Sequence, residues 1–269
     1  MLKTLFLSLA WAACAFAQWP NFPSKNVPLK DGKPDLAAAA PRTAWGTPDL
    51  SGVWENARGP VRAGEPPFTV GPPVGTFANV GAAMKGGLPF RSWAAELIKE
   101  RHSNHSKNNP DALCLPMGLT QLHMHSQPRK MIQSPELIVI IYEANAGMRQ
   151  IFMDGRALPG PEADAWWYGY SVGHWEGDTL VVETVRLKDM GWLDIWGSPI
   201  TENAKMIERY RRTDFGQLEI DVTIEDLAAY TAPFTFRVNQ RVMLNTDLIE
   251  FICGENDKFT TYLRGAGER

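Results

Sequence analysis

GYSVGHWEGDTLVVET, Gly169 to Thr184, packs one histidine, three acids, a tryptophan and three glycines into sixteen residues. Tyr170, Val172 and His174 alternate with Ser171, Gly173 and Trp175. Beyond Glu176-Gly177-Asp178, Leu180, Val182 and Thr184 alternate with Thr179, Val181 and Glu183. Successive side chains on a strand point to opposite faces, and a short Gly-containing turn reverses the chain. The stretch therefore reads as two antiparallel strands rather than a catalytic signature. The chemistry it offers reduces to His174 and Glu183, and alternation alone does not say which face looks inward.

The same period continues on both sides. PELIVIIYEA (135–144), MRQIFMDGR (148–156), MIERYRRTD (206–214), QLEIDVTIE (217–225), PFTFRVNQRVML (233–244) and LIEFICGEN (248–256) all read as strands. Asp154-Gly155 has the residues of a type I′ hairpin turn. In QLEIDVTIE the alternation is strict, with Leu218, Ile220, Val222 and Ile224 on one face. No helical pattern interrupts residues 129–256. Successive short strands joined by tight turns argue an all-β, antiparallel up-and-down barrel of about eight to ten strands.

The rest of the chain organises around that barrel. Residues 1–17 carry Lys3, an apolar run and Ala15-Phe16-Ala17, the pattern of a signal peptide cleaved after Ala17. A lipid anchor at Cys14 is the rival reading. No later segment is long and apolar enough for a transmembrane helix. Residues 18–48 form a long irregular N-terminal extension, and 49–269 a single barrel domain with a loop and short-helix insertion at about 57–128. Ser92 is placed to cap that short helix over WAAELIKERH, which Asn109-Pro110 ends. Periplasmic or secreted localisation follows from the signal. Once Cys14 is removed, Cys114 and Cys253 remain as an even pair, which in an exported protein predicts a disulfide.

The net charge of −3 and the scattered lysines and arginines give no surface for nucleic acid. No H-E-x-x-H, C-x-x-C or Ca²⁺-loop motif is present, so no cofactor is expected from motifs. His123-Met124-His125 leaves a divalent metal open, because in an extended strand residues i and i+2 share a face.

DLSGVWEN (49–56) contains Gly52-x-Trp54, which resembles the first-strand G-x-W of the lipocalin-like (calycin) barrels. That resemblance implies a plugging tryptophan covered by a late arginine, Arg264 or Arg241 here. More broadly, PDLSGVW (48–54), the Cys-Leu-Pro loop (114–116), RQIFMDGR (149–156), GYSVGHWEGDTLVVET and ERYRR…E-D (208–226) together resemble a group of exported bacterial proteins. The resemblance implies export and fold, and no activity. Members of that group carry G-x-P-R after the Cys-Leu-Pro loop, where this chain has Gly118-Leu119-Thr120-Gln121.

Aromatic residues are the main chemical excess. Trp166, Trp167, Tyr168 and Tyr170 cluster beside the opening stretch and suit a small apolar or aromatic ligand at a barrel mouth. Arg149 and Arg156 could hold a ligand carboxylate, or merely pair with surface acids. The first expectation is therefore a small-molecule binding barrel. The enzyme alternative, a lyase, isomerase or hydrolase, uses His174 with Tyr142, Glu143 or Glu183, or a metal held by His123 and His125. Glu208 and Asp226 are further strand carboxylates. A third alternative is a cell-envelope interaction protein whose extension engages a partner.

Overall fold

The computed structural model describes residues 22–57 and 79–253. The proposed signal peptide and Arg264 lie outside them. The extension carries one two-residue hairpin, β1 (Leu29–Lys30) and β2 (Lys33–Pro34). The barrel strands follow: β3 (Gly52–Asn56), β4 (Arg129–Gln133), β5 (Leu137–Tyr142), β6 (Met148–Phe152) and β7 (Tyr170–Glu176). The last four are β8 (Thr179–Val185), β9 (Lys205–Arg212), β10 (Gln217–Glu225) and β11 (Phe234–Met243). Two α-helices, α1 (Ser92–Ser103) and α2 (Leu119–Met124), lie between β3 and β4.

Strands β3 to β11 pair in chain order, and β11 returns to β3 to close the barrel. The all-β barrel is thus as expected, with one correction to its topology. A closed ring with an odd number of strands cannot alternate direction throughout, so at least one pairing in a nine-strand barrel is parallel. That pairing is β6 with β7, where Ile151 faces Ser171 and Phe152 faces Val172. Residues 153–169 carry the chain back for the parallel start. Asp154-Gly155 therefore makes no hairpin. Gly155 has φ +77°, and Asp154 Oδ1 accepts from Arg156 N at 3.2 Å, which is a local Asx-type turn.

The opening stretch is two barrel staves, paired Ser171 with Thr184 and Gly173 with Val182. Ser171 and Gly173 face inward, as do Leu180, Val182 and Thr184, so Tyr170, Val172 and His174 face outward. A Cβ on Gly173 would lie 2.6 Å from Met153 Sδ, so any side chain there would displace Met153. The apolar face of β10 is wholly buried, as its alternation demands.

Trp54 is fully buried and donates from Nε1 to Leu50 O at 3.0 Å. Its covering cation is Arg212, with the guanidinium carbon 4.9 Å from the ring centroid. Arg241 points outward and pairs with Glu55 at 2.6 Å. Alternation along β11 forces this, because Gln240 takes the inward position.

The expected helix is present as α1, with Arg91 rather than Ser92 at its N-cap. Helix α2 was not foreseen. All six of its residues are buried, so it shows no polar face to produce a helical period. The expected strand at 248–256 is irregular through Ile252, and 254–256 lie outside the described residues. Ile249 N donates to Glu143 Oε2 at 3.0 Å, and Cys253 bonds Cys114 with Cα atoms 5.5 Å apart. Among the described residues no helix is long and apolar enough to cross a membrane.

Candidate functional site

The parallel seam creates an aromatic-lined cleft. Its ladder cannot extend back from Ile151 and Ser171, because Gly169 adopts φ +66° and turns the chain away. A Cβ there would lie 2.5 Å from Thr184 Cγ2, so only glycine fits. Ahead of it, Trp166 N donates to Arg186 O at 2.9 Å, and Lys188 N donates to Trp166 O at 2.8 Å. These bonds pin the Trp166-Trp167-Tyr168 segment against the chain leaving β8.

A cleft of about 370 Å³ opens where the two strands part. Phe152, Trp166, Trp167, Tyr168 and Tyr170 line it, with Met148 and Pro116 at its edge and Arg149 and Ser171 beneath. Phe152 and Tyr170 stack with centroids 5.1 Å apart, and Trp166 meets Tyr170 at 5.5 Å. Arg156 lies over Phe152 at 3.8 Å, donates to Tyr170 OH at 3.1 Å and is paired with Asp154. Burial, with the charge of Asp111 adding to it, raises the Tyr168 phenol to about 12, so it stays protonated. The four aromatics singled out by sequence thus share one cleft. It lies on the seam rather than in an open barrel mouth.

Beneath the cleft lies a buried polar network. Arg149 donates from Nε to Ser171 Oγ at 3.1 Å, and from Nη2 to Thr184 Oγ1 at 2.8 Å and to Glu208 Oε2. Its Nη1 donates to Glu208 Oε1 at 3.0 Å and to Tyr210 OH at 3.2 Å. All five guanidinium hydrogens are engaged within the protein, so Arg149 keeps none for a ligand carboxylate. Tyr210 OH in turn donates to Glu208 Oε1 at 2.7 Å.

No family model, curated protein or solved structure matches this chain. What the site can do therefore rests on its own geometry.

Helix α2 inserts His123 into the network. Its Nε2 lies 2.7 Å from Glu208 Oε1, and Tyr142 OH lies 3.3 Å from Nδ1. The arrangement is consistent as Tyr142 O–H to Nδ1 and Nε2–H to carboxylate, which requires the neutral Nε2–H tautomer. Electrostatics agree. Burial lowers the His123 pKa, and the arginines 149 and 129 oppose its charging, against the pull of Glu208. Burial works against ionised Glu208, but the Arg149 charge and the bonds from His123 and Arg149 hold it well below the usual carboxylate range. Burial likewise holds Tyr142 and Tyr210 well above the usual phenol range. The resting site is a neutral imidazole, two neutral phenols and a buried Arg149–Glu208 ion pair.

Several sequence candidates lie elsewhere. His174 faces outward and is half-exposed, 3.3 Å from Glu176, so it cannot serve as an interior base. Glu183 also faces outward and pairs with Lys205 at 2.9 Å. Glu143 sits past the end of β5, where it holds Gln127 and the Ile249 backbone. Only Tyr142 of that set points inside. His123 and His125 do not share a metal-facing side, because His123 is in a helix and His125 just beyond it. Residues i and i+2 diverge in a helical turn. The His125 Nδ1 accepts from Gln127 N at 3.2 Å, and burial, then Arg129, lowers its pKa to about 4. Among the described residues no three or more His, Cys, Asp or Glu gather to hold a metal.

Ser171, Thr184 and Tyr210 were not anticipated. Glu208 was visible as a strand carboxylate, and its alternation with Met206 and Tyr210 was the available signal. Its partner His123, 85 residues earlier, left no local trace.

Proposed function

We propose that this protein binds a small, flat, apolar or aromatic molecule in the seam cleft and works outside the cytoplasm. The convergence of Phe152, Trp166, Trp167, Tyr168 and Tyr170 on one cleft of about 370 Å³ carries this reading. That volume falls in the range of roughly 300–1,000 Å³ common to small-molecule sites. Aromatic walls favour a flat guest, which offset stacking stabilises beyond simple burial. The export-signal composition of residues 1–17 and the Cys114–Cys253 disulfide support the compartment.

The acid–base alternative moves from His174 to the Tyr142–His123–Glu208 relay. Every member of that relay is buried, and its protons and lone pairs already have internal partners. We read it as the device that locks α2 to β5, β6 and β9, rather than as a reactive centre.

Equilibrium dialysis of the full chain against 2-naphthamide tests the binding reading. Saturable one-to-one binding is expected, weakened about threefold to tenfold by Trp167→Ala, the loss of one stacking face. Absence of saturable binding, or unchanged affinity in both Trp167→Ala and Tyr170→Ala, overturns it.

A further inference from the structure

The polar groups that line the seam cleft divide into those already bonded within the protein and one that is not. Arg149 is the charged side chain of the lining, and its donors all go to Glu208, Tyr210, Ser171 and Thr184. Ser171 Oγ accepts from Arg149 and shares a hydrogen bond with Thr184 Oγ1 at 2.9 Å. Among the described residues no Asp, Glu or Lys lines the cleft. A charged ligand would shed water there and find no unspent counter-charge.

Tyr168 differs from the other tyrosines. The hydroxyls of Tyr142, Tyr170, Tyr210 and Tyr230 have protein partners in His123, Arg156, Glu208 and the Pro199 carbonyl. Among the described residues the Tyr168 hydroxyl has none. Its ring is half-buried in the cleft wall, a setting in which a phenol ordinarily finds a hydrogen-bond partner. The oxygen stands beside Gly147, 3.3 Å from where a Cβ on that glycine would lie. Gly147 immediately precedes Met148, so the hydroxyl stands at the end of the cleft that Met148 and Pro116 form. Burial keeps the proton on this phenol, so it is available to donate. The charge of Asp111 reaches the same hydroxyl and disfavours an anionic oxygen beside it.

We infer that the cleft selects a neutral aryl carbonyl compound, with the Tyr168 hydroxyl donating to the carbonyl oxygen. This rests on the aromatic-cleft reading and adds the functional group that the ligand carries. The ring lies against Trp166, Trp167 and Tyr170, and the carbonyl projects toward Met148. A carbonyl suits the site because it accepts a hydrogen bond without bringing charge. Conjugation also keeps it near the plane of the ring, so the guest stays flat between aromatic walls. Tyr168 is thereby a specificity-determining residue, since a guest without an acceptor leaves its hydroxyl unpaired.

Two neutral probes of one shape separate this role from simple stacking: 2-acetylnaphthalene, and 2-isopropenylnaphthalene, in which a methylene group replaces the carbonyl oxygen. Equilibrium dialysis against the full chain measures both. Tyr168→Phe removes a hydroxyl that bonds nothing in the protein, so the fold and the aromatic wall remain. It should weaken 2-acetylnaphthalene about threefold to tenfold, the scale of one neutral hydrogen bond. The affinity for 2-isopropenylnaphthalene should stay within about twofold, because no hydrogen bond is lost. The anion 2-naphthoate should bind the native chain about threefold or more weakly than 2-acetylnaphthalene, for want of a counter-charge. Equal effects of Tyr168→Phe on the two neutral probes overturn the hydroxyl's role, and naphthoate binding as tight as the ketone's overturns the neutral class. Both results leave the aromatic cleft standing. Failure of all three probes to bind the native chain overturns the cleft reading itself.

Discussion

His123 Nε2 lies 2.7 Å from Glu208 Oε1, joining a buried helix to the inner face of β9 across 85 residues of chain. The same carboxylate receives Arg149 and Tyr210, so one side chain ties together α2, β6 and β9. Buried polar groups of this kind stabilise only while complete, because removing one partner strands the others away from water.

Glu208→Gln should therefore be severe. It leaves the fully buried Arg149 guanidinium without its counter-charge, a loss of about 3–5 kcal/mol. The double variant Arg149→Met/Glu208→Gln should lose less than the sum of the two single variants. Urea unfolding of the four chains measures this, and additive losses would contradict the ion pair. His174→Ala, at an exposed position, should stay within about 0.5 kcal/mol.

His123 in α2 and His125 at its C-cap set an acid limit on stability. Both have folded pKa values below the unfolded value of 6.5, that of His125 at about 4. The unfolded chain then binds protons that the folded chain refuses, so stability falls as pH drops from about 6.5 toward 4. Glu208, whose folded pKa is depressed, adds its own loss below its ordinary value of 4.5. Burial raises the Asp194 carboxyl, which contributes with opposite sign as pH rises from 3.8. His125→Asn should flatten the slope between pH 6 and 4.5 by up to one proton, read from denaturation midpoints across pH. An unchanged slope would count against the burial of His125.

Gly118→Ala should damage the site from a distance. A Cβ at the start of α2 would fall 1.9 Å from Trp192 O, a backbone atom that cannot simply rotate away. Helix α2 has to shift, and His123 with it. A loss of about 1–3 kcal/mol is expected from overpacking. Near-UV circular dichroism should change with the melting temperature, since the displaced helix packs beside Tyr142 and Tyr210.

The disulfide should matter for stability and for the cleft edge. It closes a separation of 139 residues and anchors the loop that brings Pro116 to the cleft. Replacing both cysteines by serine should cost about 2–5 kcal/mol. Peptide mapping without reductant should recover a Cys114–Cys253 cross-linked pair, and free thiols at both positions would refute the bridge.

Alternation in QLEIDVTIE, and in the two strands of GYSVGHWEGDTLVVET, was enough to establish the strands. Their density, with no intervening helical period, established an all-β barrel. Counting cysteines was enough to pair Cys114 with Cys253. These are local properties, carried by neighbours in the chain. Only the tertiary structure decided which face of each strand looks inward, because a period of two divides residues into two sets without saying which is buried. That choice turned His174 and Glu183 to solvent and brought Ser171, Thr184 and Glu208 inside. Closure of nine strands required a parallel seam, a consequence of their number around the ring that no single strand encodes. The cleft, the covering of Trp54 by Arg212 and the contact of His123 with Glu208 follow from that closure, which joins residues too distant in the chain to leave a local pattern.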